Sequence, residues 1–140
     1  MEIICRTLNE LPRIAGEVFD FGKDKKIWLL KGDLGAGKTT FINKVTQYMG
    51  IKDLVSSPSY ALVNEYLTIE DQKVFHLDLF RLKSAFEALD IGIEEYLDSG
   101  NYCFIEWPEV IESMITDDYL DINILNAEKE IRIFNIQKYE

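Results

Sequence analysis

Gly32-Asp33-Leu34-Gly35-Ala36-Gly37-Lys38-Thr39, with Thr40 directly behind it, decides how the rest of this chain is read. The stretch fits G-x-x-x-x-G-K-[ST], the phosphate-binding P-loop. Glycine lets the backbone curl until successive N–H groups converge on an anion. The helix that follows adds its unpaired N-terminal N–H groups and its positive dipole end. Phosphate contacts are therefore expected along Asp33, Leu34, Gly35, Ala36, Gly37, Lys38, Thr39 and Thr40. The Lys38 ammonium would reach the β- and γ-phosphates, and the Thr39 hydroxyl would take a place on Mg²⁺.

A glycine-rich turn can match such a pattern by chance, so the flanks decide. Ile27-Trp28-Leu29-Leu30 is a short apolar run that reads as a buried parallel strand. Beyond the loop, Phe41, Ile42, Val45, Tyr48 and Met49 recur at helical spacing, and Gly50 is placed to cap that helix. Strand, glycine loop and helix is the setting the motif requires.

The length of 140 residues suits one domain, residues 1–140, able to bury about 68–70% of the surface of the unfolded chain. Fifteen basic residues against twenty-five acidic ones leave a net charge of −10, which argues against direct binding to nucleic acid. The Lys23 to Lys26 patch, with Asp24 inside it, reads as a solvated turn. No stretch approaches the roughly 18 apolar residues of a membrane span. Met1 to Arg6 resembles neither a signal peptide nor a transit peptide, so a cytoplasmic location is expected. Cys5 and Cys103 fall in strand-like runs without metal-ligand spacing and read as buried, reduced thiols. His76 is the sole histidine, which leaves little for a zinc site or a Ser-His-Asp triad.

In chain order, Glu2 to Arg6 reads as a strand. Leu8, Leu11, Ile14, Ala15, Val18 and Phe19 then give a helix its apolar face. Thr7 and Glu10 fit a capping box, yet Pro12 then falls in the second turn, which pushes the helix start later. Val55 to Tyr60 reads as loop around Pro58. Ala61 to Leu67 and Lys73 to Leu77 form a hairpin across Glu70-Asp71-Gln72, so part of the sheet is antiparallel. Ser84 and Glu87 cap a helical stretch that breaks near Gly92 and ends after Leu97. Tyr102 to Ile105 is another buried strand, closed by Glu106-Trp107-Pro108, with a short helix expected over Glu109 to Met114. Tyr119 to Leu125 and Glu130 to Ile136 make a second hairpin. The expected fold class is α/β: a single P-loop NTPase-like domain, its mixed parallel and antiparallel sheet flanked by helices and ended by a C-terminal β-hairpin.

Ligands of open α/β sheets bind beyond the carboxyl ends of the parallel strands. Two strands end there in an acid, at Asp78 and at Glu106. Either can hold the Mg²⁺ of a P-loop enzyme, and Glu106, longer by a methylene, can alternatively position the attacking water. The plainer reading of each is a solvated or capping carboxylate. Ser57-Pro58-Ser59-Tyr60 lies where a loop could sense the γ-phosphate, or serves as a simple connection. Arg81 reads as a structural ion pair sooner than as an internal stabiliser of phosphate charge. Without such an arginine a slow basal rate is expected, raised by a partner.

Taken together, the P-loop, Ser57-Pro58-Ser59-Tyr60 with Leu62-Val63-Asn64-Glu65-Tyr66, His76-Leu77-Asp78-Leu79-Phe80-Arg81-Leu82 and Glu106-Trp107-Pro108 resemble the TsaE (YjeE) family. That family is the small ATPase of bacterial tRNA threonylcarbamoyladenosine biosynthesis. The resemblance runs from about Leu8 to Pro108. It implies slow hydrolysis of ATP to ADP, with Mg²⁺ held by Thr39 and Glu106. It also implies catalytic importance for Lys38, Asp78 and Glu106, and a functional role at the nucleotide for Trp107. Its implied partners are the TsaD and TsaB proteins, with tRNA reached only through them. Three positions depart from the family: Ser59 for a usual threonine, Phe80 for a usual tyrosine, and Pro12 where threonine is frequent.

Two other functions share the P-loop. A small-molecule kinase needs an acceptor site and a lid, and no insertion after Thr40 is long enough for both. A nucleotide-dependent binding module with incidental hydrolysis would have the same sequence signature. A GTPase is disfavoured, because Asn43-Lys44-Val45-Thr46 lies inside the P-loop helix and lacks the guanine-reading aspartate.

Overall fold

A computed structural model describes residues 1–56, 63–116 and 118–140. Strand β1 (Glu2–Cys5) leads through a 3-10 turn at Leu8–Glu10 into helix α1 (Leu11–Gly22). The two sequence signals at this start, which conflicted, are both used. Glu10 accepts the Thr7 backbone N–H at 3.2 Å and opens the 3-10 turn. Pro12 then sits in the first turn of α1, where its missing N–H costs no hydrogen bond.

Strand β2 (Ile27–Lys31) feeds the P-loop and helix α2 (Lys38–Met49), which Gly50 ends in the left-handed conformation at φ 86°. Then come β3 (Ile51–Ser56), β4 (Val63–Thr68) and β5 (Lys73–Asp78). Helices α3 (Ala85–Asp90) and α4 (Ile93–Leu97) meet at Gly92, as its break in the helical pattern predicts. The Ser84 hydroxyl accepts the Glu87 N–H at 3.3 Å and caps α3. Strand β6 (Tyr102–Glu106) precedes two 3-10 turns, and β7 (Tyr119–Asn126) with β8 (Arg132–Tyr139) closes the chain.

All eight strands join one sheet in the order β1-β8-β7-β2-β6-β5-β4-β3. Its centre, β7-β2-β6-β5, is parallel, and both flanks are antiparallel. The centre is parallel because β2 and β6 are apolar nearly throughout and are covered on both faces. Side chains alternate along each strand. Trp28, Leu30, Tyr102 and Phe104 therefore pack towards α1 and α2, among Ile14, Val18, Phe41 and Val45. Ile27, Leu29, Cys103 and Ile105 pack on the other side, among Leu79, Ala88, Ile93 and Ile111.

Several expectations need correction. Val55 and Ser56, read as loop, belong to β3, which forms by pairing its backbone with β4 through an irregular register, not by apolar alternation. Ser57 to Tyr60, with Ala61 and Leu62, lie outside the described residues. The helix expected over Glu109 to Met114 is two 3-10 turns, Pro108–Val110 and Glu112–Met114. Strand β8 runs to Tyr139 because its pairing with β7 continues that far, Tyr139 standing opposite Tyr119. Lys25 is no solvated turn residue. It is 4% exposed, and its ammonium sits 3.0 Å from Glu140, 3.3 Å from Asp118 and 3.7 Å from Asp24. That turn is tied to the sheet, since Trp28 Nε1 donates to the Lys25 carbonyl and the Tyr102 hydroxyl to that of Lys23. Both cysteines are buried and free, and burial pushes the Cys103 thiol up to about 12.

Candidate functional site

Parallel pairing brings the expected chemistry to one edge. Leu30 and Asp78 both stand opposite Glu106, so the P-loop strand and the two strand-end acids finish side by side. Along β6, Glu106 shares the face of Tyr102 and Phe104, which looks towards α2. Its carboxylate consequently meets the first turn of that helix. The Thr39 hydroxyl donates to it, 2.7 Å and 2.9 Å from the two oxygens.

The loop between them is shaped by glycine for two different reasons. A Cβ at Gly32 would lie 2.6 Å from the Ile124 carbonyl oxygen, so β7 leaves no room for a side chain. Gly35 and Gly37 have open space around them, but their φ values of 82° and 100° are left-handed and demand glycine. These turns leave the backbone concave, and α2 begins at Lys38 with Gly37 as its N-terminal cap residue.

Lys38 is buried. Its ammonium donates to the Gly32 carbonyl and lies 3.4 Å from the centroid of the Trp107 ring. Burial lowers its pKa from the ordinary lysine value, and the nearby Glu106, Glu109, Asp78 and Asp33 only partly oppose that. Trp107 is held in the left-handed region at φ 56° and ψ 58°, immediately before Pro108. A bulky residue there, before a proline, is strained by about 1–3 kcal/mol, and such strain persists only where the surroundings impose it. Here the ring is fixed by Lys38 and by Phe80, whose centroid lies 4.9 Å away.

A cleft of about 290 Å³ opens over this edge. Leu34, Gly35, Gly37, Lys38, Thr39 and Thr40 form its loop side, and Asp78, Phe80, Glu106 and Trp107 its strand side. Nine of the residues expected at the site are therefore brought together. Asp33 is exposed outside the lining, and the Ala36 side chain turns into the core. Asp78 is half-buried, and its Oδ1 accepts the Phe80 N–H at 3.1 Å. Arg81 is exposed and, among the described residues, makes no ion pair, so the structural pairing expected for it is not found. The Ser57-Pro58-Ser59-Tyr60 stretch lies outside the described residues.

The donor set suits Mg²⁺. A hydroxyl and a carboxylate, both hard oxygen donors, stand in hydrogen-bond contact. Among the described residues no group of three His, Cys, Asp or Glu could cage a metal. Mg²⁺ characteristically takes one or two protein oxygens and completes its shell with phosphate and water.

The model of the family described as threonylcarbamoyl adenosine biosynthesis protein TsaE matches residues 5–134. The chain belongs to the TsaE family. Among curated proteins it is 35% identical over 131 residues to the TsaE of Bacillus subtilis, covering 90% of this chain and 81% of that one. It is 32% identical to the TsaE of Aquifex aeolicus, with 95% of each chain covered. The crystal structure of Bacillus subtilis YdiB superposes with a TM-score of 0.75 at 27% identity, covering 97% of this chain and 83% of that one. The P-loop NTPase-like fold and the role of the family in tRNA threonylcarbamoyladenosine biosynthesis agree with the sequence reading.

Two features of this TsaE-family chain escaped that reading. His76 is buried, and its Nε2 lies 2.5 Å from Glu106 Oε2. The signal was parity: His76 stands two residues before Asp78 on β5, hence on the same face, and β5 runs beside β6. The second is a cleft of about 260 Å³ on the opposite side of the loop. It shares Gly35, Gly37 and Thr40 with the first, but its walls are Cys5, Leu8, Leu11 and Phe134, with Arg132 beside them. Arg132 Nε donates to the Ala36 carbonyl at 3.2 Å and so ties β8 to the loop. No local pattern announces this cleft, because its walls come from β1, the first 3-10 turn, α1, the β7–β8 turn and β8.

Proposed function

We propose that residues 1–140 act as one Mg²⁺-dependent ATPase domain, slow by itself, that serves tRNA threonylcarbamoyladenosine biosynthesis through the TsaB–TsaD complex. The observation that carries the ATPase reading is the contact of Thr39 with Glu106, which joins the phosphate loop to a strand-end acid beside the Lys38 ammonium.

In this reading the backbone N–H groups of the loop and the start of α2 bind the phosphates, and Lys38 leaves the Gly32 carbonyl to pair with the β- and γ-oxygens. Thr39 and Glu106 would hold Mg²⁺, which when bound neutralises charge on those oxygens. Asp78, less buried and open to the cleft, positions the attacking water. Trp107 covers the lysine and excludes water from it. The nucleoside end lies in the apolar cleft of Leu8, Leu11 and Phe134, where a base buries its faces. Lys38 is the one cation among the described residues lining the phosphate cleft, which supports slow turnover that a partner raises.

The test is turnover of ATP and GTP, alone and with TsaB, TsaD and tRNA, for the native chain, Lys38→Ala and Glu106→Ala. Weak ATP turnover, stimulated by the partners and lost in both variants, is expected. Turnover that survives Lys38→Ala would remove the catalytic assignment. Repeated rounds of tRNA modification that proceed without this protein would remove the pathway role.

A further inference from the structure

Glu106 is held by two donors, and the proposed function uses only one of them. Thr39 approaches its carboxylate from the P-loop helix. His76 approaches from β5, the neighbouring parallel strand, at 2.5 Å from Oε2. His76 is 6% exposed and Glu106 3% exposed, so neither group is there to meet solvent.

The hydrogen bond assigns the donor nitrogen of the histidine. A carboxylate accepts, so Nε2 is the ring nitrogen that carries a proton and donates to it. Nδ1 is buried and has no partner among the described residues. A buried polar atom left without a partner costs stability, and fixing the other ring nitrogen on Glu106 is what this arrangement gains in return. A histidine serving only to fill the core would be replaced without loss by an apolar side chain of its size.

We infer that His76 is a positioning residue for Glu106, and that it sets the affinity of the site for a divalent cation. This rests on Glu106 being a metal ligand. Once the Thr39 hydroxyl turns from the carboxylate to a cation, the imidazole is, among the described residues, the remaining side-chain hydrogen bond that fixes the carboxylate plane. Carboxylate ligands are characteristically oriented by such a partner, and losing it lowers metal affinity about 10- to 100-fold. His76 is not among the residues that line the phosphate cleft, so it acts through Glu106.

The experiment measures Mn²⁺ binding by electron paramagnetic resonance with ADP present, beside ADP binding without metal and thermal denaturation. His76→Leu removes the donor at similar volume. It is expected to weaken Mn²⁺ binding about 10- to 100-fold and to leave metal-free ADP binding within about twofold. His76→Gln places an N–H at the reach of Nε2 and is expected to recover most of the affinity, whereas His76→Asn is too short and is not. Should His76→Leu fail to fold, the Gln and Asn pair decides by itself. Equal Mn²⁺ affinity in those two, or native affinity in His76→Leu, overturns the inference. Glu106→Gln runs alongside. If it binds Mn²⁺ like the native chain, the metal assignment of Glu106 falls and the inference with it. If it loses Mn²⁺ while His76→Leu does not, the inference alone fails.

Discussion

The two clefts that share the glycine loop are built on opposite chemistry. On the β5 and β6 side every wall residue except Leu34, Phe80 and the glycines offers a charge, a hydroxyl or a ring that covers a charge. On the β1 and β8 side the inner walls are Leu8, Leu11, Phe134 and a thiol, the charged Lys129 and Glu130 also line the cleft from the β7–β8 turn, and Arg132 is spent on backbone carbonyls. The difference follows from where each wall comes from. The first cleft stands at the carboxyl ends of parallel strands, where side chains leave the sheet and meet a helix N-terminus. The second lies over the antiparallel flank, where β1 pairs edge to edge with β8 and Leu11 of α1 shares a core with Phe134 of β8. One nucleotide spanning both would be gripped by charge at the phosphate end and by apolar contact at the base end.

The largest break of that contrast comes from Lys38→Ala, which removes the one cation of the phosphate cleft among its described lining residues. Loss of one preorganised donor at a developing charge costs about 10²–10³ in kcat. ATP turnover should fall by that much, and binding of both ATP and inorganic tripolyphosphate should weaken together. Thr39→Val comes next. It keeps shape but removes the hydroxyl shared with Glu106, so the Mg²⁺ concentration for half-maximal turnover should rise, by about 10- to 100-fold if the hydroxyl is a ligand. A titration of rate against Mg²⁺ reads this directly, and an unchanged midpoint would exclude Thr39 from the metal.

The apolar side is broken more gently. Leu8 is 69% exposed in the absence of a ligand, so replacing it disturbs little of the fold. At about 0.8 kcal/mol per methylene buried, Leu8→Ser should weaken ATP binding about 3- to 10-fold. Tripolyphosphate, which has no base, should bind the variant and the native chain equally. Equal losses for both ligands would put the base somewhere else.

What the sequence showed and hid follows the same division. The phosphate cleft was legible because each of its parts is local: a loop, a helix start and two acids at strand ends. The sheet centre was legible because strands buried on both faces are written as unbroken apolar runs, as in Ile27-Trp28-Leu29-Leu30. Strand β3 was not, since backbone pairing with β4 leaves no apolar alternation to read. Lys25 looked like a surface charge because its partners, Asp118 and Glu140, lie far along the chain. His76 was passed over as a metal or triad residue, and its role beside Glu106 appears only when β5 and β6 are set in register. The second cleft is assembled from separate elements far apart in the chain, and nothing in any one of them points to it.

The smallest effect concerns protons. Burial holds the Lys38 ammonium below its ordinary value of 10.5, whereas phosphate oxygens favour the charged form. ATP binding should therefore raise that pKa and take up protons wherever the free protein has begun to lose its own. The sign for the fold runs the other way. With the folded pKa below the unfolded one, the unfolded chain binds more protons in the window beneath 10.5, so this group makes the ligand-free fold more stable as pH rises through it. Titration calorimetry in buffers of different ionisation heat should find no proton uptake near neutrality and a growing uptake towards alkaline pH. The same measurement on Lys38→Ala should find none at any pH. Uptake persisting in that variant would place the titrating group elsewhere and separate the charge of the phosphate cleft from its lysine.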